Sequence, residues 1–107
     1  MGLAIAEELD KAGANVSMFA RRRTLLESEA DRIGALAVHG DLTSPRDLRN
    51  LVEHTVSTFG GIDILVNNGG GPPAKPALDL DDESLEDAVM LLLFSAVRLT
   101  NLCLPHL

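Results

Sequence analysis

The chain has no tryptophan and no tyrosine, and only three phenylalanines among its 107 residues. Its core must therefore be aliphatic, and a hydrophobic content of 46%, mostly Leu, Val, Ile and Ala, is enough to build one. A phenolic proton donor is excluded from any chemistry this chain could perform alone. Its single cysteine, Cys103, cannot form an internal disulfide, which suits a reducing, cytoplasmic compartment. Positive charge is also scarce: nine Lys and Arg face sixteen Asp and Glu, a net charge of -7. Arg21, Arg22 and Arg23 form the one basic run, too short for a phosphate-backbone patch, so no nucleic-acid partner is expected. Nothing in the charge pattern suggests a membrane surface, and no metal site is expected. No basic segment precedes the first apolar residues, and Glu7 and Glu8 interrupt them, so no signal peptide is expected. The apolar run 88–97 is about half the twenty residues a bilayer span needs, which predicts a buried helix.

What the chain does have is regular alternation. Leu3, Ile5, Ala6 and Leu9 form a helical stripe over 2–12, closed by Gly13. A short apolar strand at 16–20 precedes a helix over 24–33 that Gly34 stops. A second strand at 35–39 leads through Gly40 and Asp41 to a helix that Ser44 caps and Pro45 begins. Gly60 and Gly61 close that helix, and a third strand is expected at 62–66. Asn67, Asn68, Gly69, Gly70, Gly71, Pro72 and Pro73 make a hard break. A loop then runs to Leu80, and Asp81 or Asp82 caps a long apolar helix reaching about Leu104. Strands separated by helices imply parallel pairing in a doubly wound α/β fold.

Four segments in order resemble the short-chain dehydrogenase/reductase family: Gly2 to Ala6, Phe19 to Arg22, Gly40 to Leu42, and Asp63 to Gly70. The resemblance covers the whole chain. It implies an incomplete Rossmann-type sheet, a partial NAD(P)-binding domain over 1–107 truncated at both ends. The family's first strand and its C-terminal half would be missing. Gly2 resembles the last glycine of the family's Thr-Gly-x-x-x-Gly-x-Gly turn, where backbone approaches the pyrophosphate at a helix N-terminus. The plain alternative is a glycine after a start methionine. Ala20 stands where NAD-preferring members carry an acid, so Arg21 and Arg22 are expected to hold a 2′-phosphate, which implies NADP in preference to NAD. A solvated basic turn is the alternative. Asp41 is expected to accept from the adenine amino group, helped by the backbone of Leu42; otherwise it is an Asx-type loop residue. Asn68, Gly69 and Gly70 resemble the end of the family's Asn-Asn-Ala-Gly motif, beside the ribose on the nicotinamide side. A generic Gly-rich loop would look similar. Asn67 is expected to be structural, tying neighbouring strands through its amide, and His39 a packed strand residue.

The departures are equally informative. The family's catalytic Asn falls at Leu92, which cannot organise a water molecule. The family's catalytic Ser and Tyr-x-x-x-Lys would lie beyond Leu107, and Ser95 is not that serine. No catalytic residue is therefore assigned. The resemblance implies an oxidoreductase moving hydride between NADP and a carbonyl or alcohol, a small-molecule substrate, and a homo-oligomer in the intact parent. The 107 residues alone are expected to be inactive. The alternative is a non-catalytic nucleotide-binding module acting as sensor or scaffold. A flavodoxin-like receiver with Asp41 as phosphoacceptor would need an acidic cluster near a first strand and a Lys after a fifth; neither is present. With a central strand lacking, a gap in the sheet, or one strand slid into the vacancy, is expected, and exposed Leu91, Leu92, Phe94 and Leu99 should promote association.

Overall fold

Proline and glycine set the helix boundaries. Ser44 accepts a hydrogen bond from the Asp47 backbone N–H at 3.2 Å, and Pro45 fills the first helical position, whose N–H has no helical partner. Gly34 and Gly60 adopt left-handed conformations, φ 71° and 87°, and their N–H groups close on carbonyls of the last turn. The computed structural model describes residues 1–70 and 76–107. The expected break at Gly71, Pro72 and Pro73, and the loop residue Lys75, lie outside the described residues. Helices α1 (Gly2–Lys11), α2 (Arg23–Ile33) and α3 (Pro45–Phe59) alternate with strands β1 (Ser17–Ala20) and β2 (Leu36–His39). A 3-10 turn (Ala77–Asp79) leads to α4 (Asp82–Val89), a π-helical turn (Met90–Phe94), α5 (Ser95–Cys103) and a last 3-10 turn (Leu104–His106). Asp81 is the cap of α4, accepting from the Ser84 N–H at 2.8 Å.

β1 and β2 pair in parallel, Ser17 opposite Leu36 and Ala20 opposite His39. Val38 is buried while His39 is exposed, so His39 is not the packed strand residue expected. The α3 residues Leu48 and Val52 pack with Leu99 and Cys103 of α5, and Phe19, Leu42, Ile62 and Leu65 lean on this cluster. Leu48 is fully buried. At the surface Arg32 of α2 bridges Glu7 of α1 and Glu29 of its own helix.

Two expectations are corrected. First, residues 62–66 form no strand. Ile62 and Leu65 reach the core, but Ile64 is 61% exposed. A cavity of about 1040 Å³ lies between this segment and β1, lined by Val16 to Phe19 on one side and Ile62 to Val66 on the other. With no strand in that slot, the segment has no ladder to join, so its β-branched residues cannot act as a strand. This is the gap foreseen from the sequence. Second, the long helix is neither uniform nor buried. Helical structure runs from Asp82 to His106, 25 residues, and its most apolar 18-residue window has a mean hydropathy of 1.7 with only 17% of it buried. By length and composition it could cross a membrane. Within it the Arg98 guanidinium lies over the Phe94 ring, 5.3 Å from its centroid. Only the side carrying Ser95, Leu99 and Cys103 is buried, so Leu99 belongs to the core, whereas Leu92 and Phe94 are exposed as expected.

Candidate nucleotide-binding site

The candidate residues gather where β1, β2 and the 62–66 segment end. Register places Ala20 beside His39, so the residues that follow, Arg21 and Asp41, leave the sheet as neighbours. The Asp41 carboxyl is held below the ordinary carboxylate range. The largest cause is the Thr43 backbone N–H, which donates to Oδ1 at 2.8 Å, followed by the Thr43 hydroxyl at 2.7 Å on the same oxygen. The positive charge of Arg21 adds to the effect. The Asp41 backbone N–H donates to Asp47 Oδ2 at 2.9 Å. Gly40 is buried, and a Cβ there would lie 2.6 Å from the Phe19 ring and 2.8 Å from the Asp47 Cβ. Only glycine lets the chain turn in that space.

From Asp41 the site continues through Leu42. A Cβ on Gly69 would lie 3.2 Å from Leu42 Cδ1 and 3.8 Å from the Leu91 carbonyl oxygen. The loops after β2 and after residues 62–66 therefore touch. Asn68 reaches back to the start of α1, where a Cβ on Gly2 would sit 2.9 Å from Asn68 Nδ2. Arg21, Asp41, Leu42, Gly69, Asn68 and Gly2 thus form one continuous row. Gly2, Leu42, Asn68, Gly69 and Leu92 also line the large cavity; Arg21, Arg22, Asp41 and Gly70 do not. Nothing lies within 4 Å of a Cβ built on Gly70. Arg22 is the N-cap of α2 and is exposed, with no side-chain hydrogen bond or ion pair among the described residues. Arg23 makes a loose pair with Glu27 at 3.9 Å. Asn67 ties its loop to α5, donating to Thr100 Oγ1 at 3.3 Å, rather than linking strands.

Each part of the row offers a distinct chemistry. The first turn of α1 carries no acid, so its free N–H groups and positive dipole end can face an anion. The exposed Arg21 guanidinium can fork onto a phosphate. An ionised Asp41 accepts from an amine. The Cβ space at Gly2 is taken by Asn68 and that at Gly69 by Leu42, so both glycines let the loops of the row close on one another.

Three features escaped the sequence reading. The π turn falls on Leu92, and its carbonyl pattern leaves no mark in composition. The Ser95 hydroxyl donates to the Leu91 carbonyl, supporting that turn. Thr43 and Asp47 brace Asp41; the Asp-x-Thr spacing of an Asx-type turn was the available signal.

The short chain dehydrogenase family matches residues 1–107, and the chain belongs to that family, whose Rossmann-type fold serves NAD(P)-dependent oxidoreductases. Its relatives include L-fucose dehydrogenase of Mus musculus, 36% identical over 80 residues, covering 74% of this chain and 29% of the relative. Among solved structures, L-sorbose reductase from Gluconobacter frateurii, complexed with NADPH and L-sorbose, is 34% identical with a TM-score of 0.83, covering 97% of this chain and 42% of that one. An actinorhodin polyketide ketoreductase variant with NADPH is 31% identical with a TM-score of 0.88, covering 95% and 41%. The chain spans about a third of the length of the curated relatives it matches.

Proposed function

We propose that this chain is the dinucleotide-binding half of an NADP-dependent oxidoreductase acting on a carbonyl or alcohol. The observation that carries this reading is the continuous row from Arg21 through Asp41, Leu42 and Gly69 to Gly2. In this reading the α1 N-terminus at Gly2 takes the pyrophosphate. Arg21, with Arg22 beside it, takes the 2′-phosphate. Asp41 and the Leu42 backbone take the adenine. Asn68, Gly69 and Gly70 border the ribose on the nicotinamide side. The nicotinamide ring, when bound, supplies the hydride; the residues of this chain bind and orient the dinucleotide. The relatives solved with NADPH support the choice of cofactor.

The family's Ser and Tyr-x-x-x-Lys have no counterpart here, so we assign no turnover to these 107 residues alone. We place the parent in the cytoplasm as a homo-oligomer, without nucleic-acid or membrane partners. The exposed face of the long helix suits a protein partner better than lipid, because Asp82, Glu83, Glu86 and Asp87 crowd its first turns and Arg98 interrupts it.

Titration of NADPH and NADH tests this. Replacing Arg21→Ala should weaken NADPH about tenfold and leave NADH unchanged, as loss of a charge-assisted hydrogen bond predicts. Equal losses for both would remove the 2′-phosphate role. Leu92 favours a second reading, a nucleotide-binding sensor without chemistry. Retained NADPH binding by the parent, with no turnover across a panel of aldehydes and ketones, would select it.

A further inference from the structure

We propose that Thr43 is a positioning residue that aims Asp41 at the base, and so makes this site prefer a 6-amino purine to a 6-oxo purine. The inference rests on the adenine role of Asp41 given above and adds the device that would give that role selectivity.

A carboxylate on a short, half-exposed side chain normally rotates, and either oxygen can accept from many directions. Here that freedom is removed at both ends. Gly40 is buried with no room for a side chain between the Phe19 ring and Asp47, so the backbone enters Asp41 through a tight space. The Asp41 backbone N–H is held by Asp47 Oδ2 at 2.9 Å, and Asp47 is itself held in the first turn of α3 by Ser44. At the carboxylate, Thr43 donates twice to the same oxygen, from its N–H at 2.8 Å and its hydroxyl at 2.7 Å. Oδ1 is thus committed to the turn. Oδ2 has no hydrogen-bond partner among the described residues, which leaves one acceptor in one orientation.

An orphan acceptor of fixed direction recognises a donor. The 6-amino group of adenine is a donor; the 6-oxo group of hypoxanthine is an acceptor and would set its lone pairs against those of the carboxylate oxygen. Both Thr43 hydrogen bonds stabilise the charged form and lower the Asp41 pKa. Without the hydroxyl, Oδ1 keeps one donor only, the carboxylate swings, and the selectivity of Oδ2 falls.

The test compares binding of NADPH with binding of its reduced nicotinamide hypoxanthine dinucleotide phosphate counterpart by the intact chain and its variants. The unsubstituted protein should prefer NADPH by about tenfold, the scale of one charge-assisted hydrogen bond. Thr43→Val should cut that ratio about fivefold by weakening NADPH alone, and Thr43→Ser, which keeps the hydroxyl, should restore it. Thr43→Ala serves if the valine distorts the turn, and adenosine and inosine 2′,5′-bisphosphates report the same ratio without the nicotinamide half. A wild-type preference that survives both Thr43→Val and Thr43→Ala overturns the role of Thr43 and leaves that of Asp41 standing. A loss that Thr43→Ser does not rescue overturns it too. If the unsubstituted protein shows no preference, the adenine role of Asp41 fails, and this inference fails with it.

Discussion

The loop after β2 and the loop after residues 62–66 begin alike in sequence: a short aliphatic run, then glycine beside a polar residue. They end in opposite conditions. At the first, Leu36 N–H meets Val16 O at 2.9 Å, Gly40 N–H meets Ala20 O at 3.1 Å, and the ladder delivers Asp41 into a braced turn. At the second, Ile62 N–H reaches only the His106 carbonyl at 3.3 Å, and a wide cavity stands where a neighbouring strand would give Ile62 to Val66 a ladder. The contrast shows that strand propensity is a statement about neighbours. Similar aliphatic runs give a strand where an edge is available and an irregular, exposed segment where it is not. It also predicts two loops of unequal order: the loop after β2, fixed by hydrogen bonds and close packing, and the loop after residues 62–66, held by a few side-chain contacts.

Stability measurements can break that comparison. The largest effect is expected at Leu48, which is fully buried: Leu48→Ala should lower unfolding free energy by about 3 kcal/mol in urea titration, whereas Ile64→Ala should change it by less than about 0.5 kcal/mol. Equal losses would mean that residues 62–66 are packed after all. Next, Gly40→Ala forces a methyl group against Phe19 and Asp47 and should cost about 2 kcal/mol, while Gly70→Ala, with open space around it, should be close to neutral. A tolerated Gly40→Ala would contradict the braced turn.

The smallest effect concerns pH. The folded state lowers the Asp41 pKa, so the stabilisation is present above the ordinary carboxylate value and is lost as pH falls through the folded one. Unfolding midpoints of wild type and Asp41→Asn should therefore differ at neutral pH and converge below about pH 4. A gap that widens in acid would show that Thr43 and Arg21 do not stabilise the charged form.

Much of this architecture was legible before coordinates. Gly13, Gly34 and Gly60 mark helix ends with positive φ, and Ser44 with Pro45 marks a helix start, because these signals are local and need no partner. The order of the four resembling segments also gave the family, whose match runs over residues 1–107. What was not legible depends on distant groups. Residues 62–66 read as a strand, but a ladder requires a second backbone. The apolar residues 88–97 read as buried, but burial of a helix depends on what covers its other faces, and here only the side facing α3 is covered. The π turn at Met90–Phe94 inserts one residue into the helical register, and Ser95 answers it through a bond to Leu91 that no periodicity announces. At Asp41 the Asx-type turn was the alternative to an adenine role; the structure forms that turn, and the two hydrogen bonds from Thr43 that close it were not expected.

The row from Arg21 to Gly2 is proposed as one dinucleotide crevice. Backbone amide NMR during an NADPH titration tests this most directly. The prediction is that the amides of Gly2, Arg21, Asp41, Leu42 and Gly69 shift together along one saturation curve, while those of Leu9 and Glu53 stay still. Shifts confined to one loop, or spread over unconnected faces with separate affinities, would contradict it.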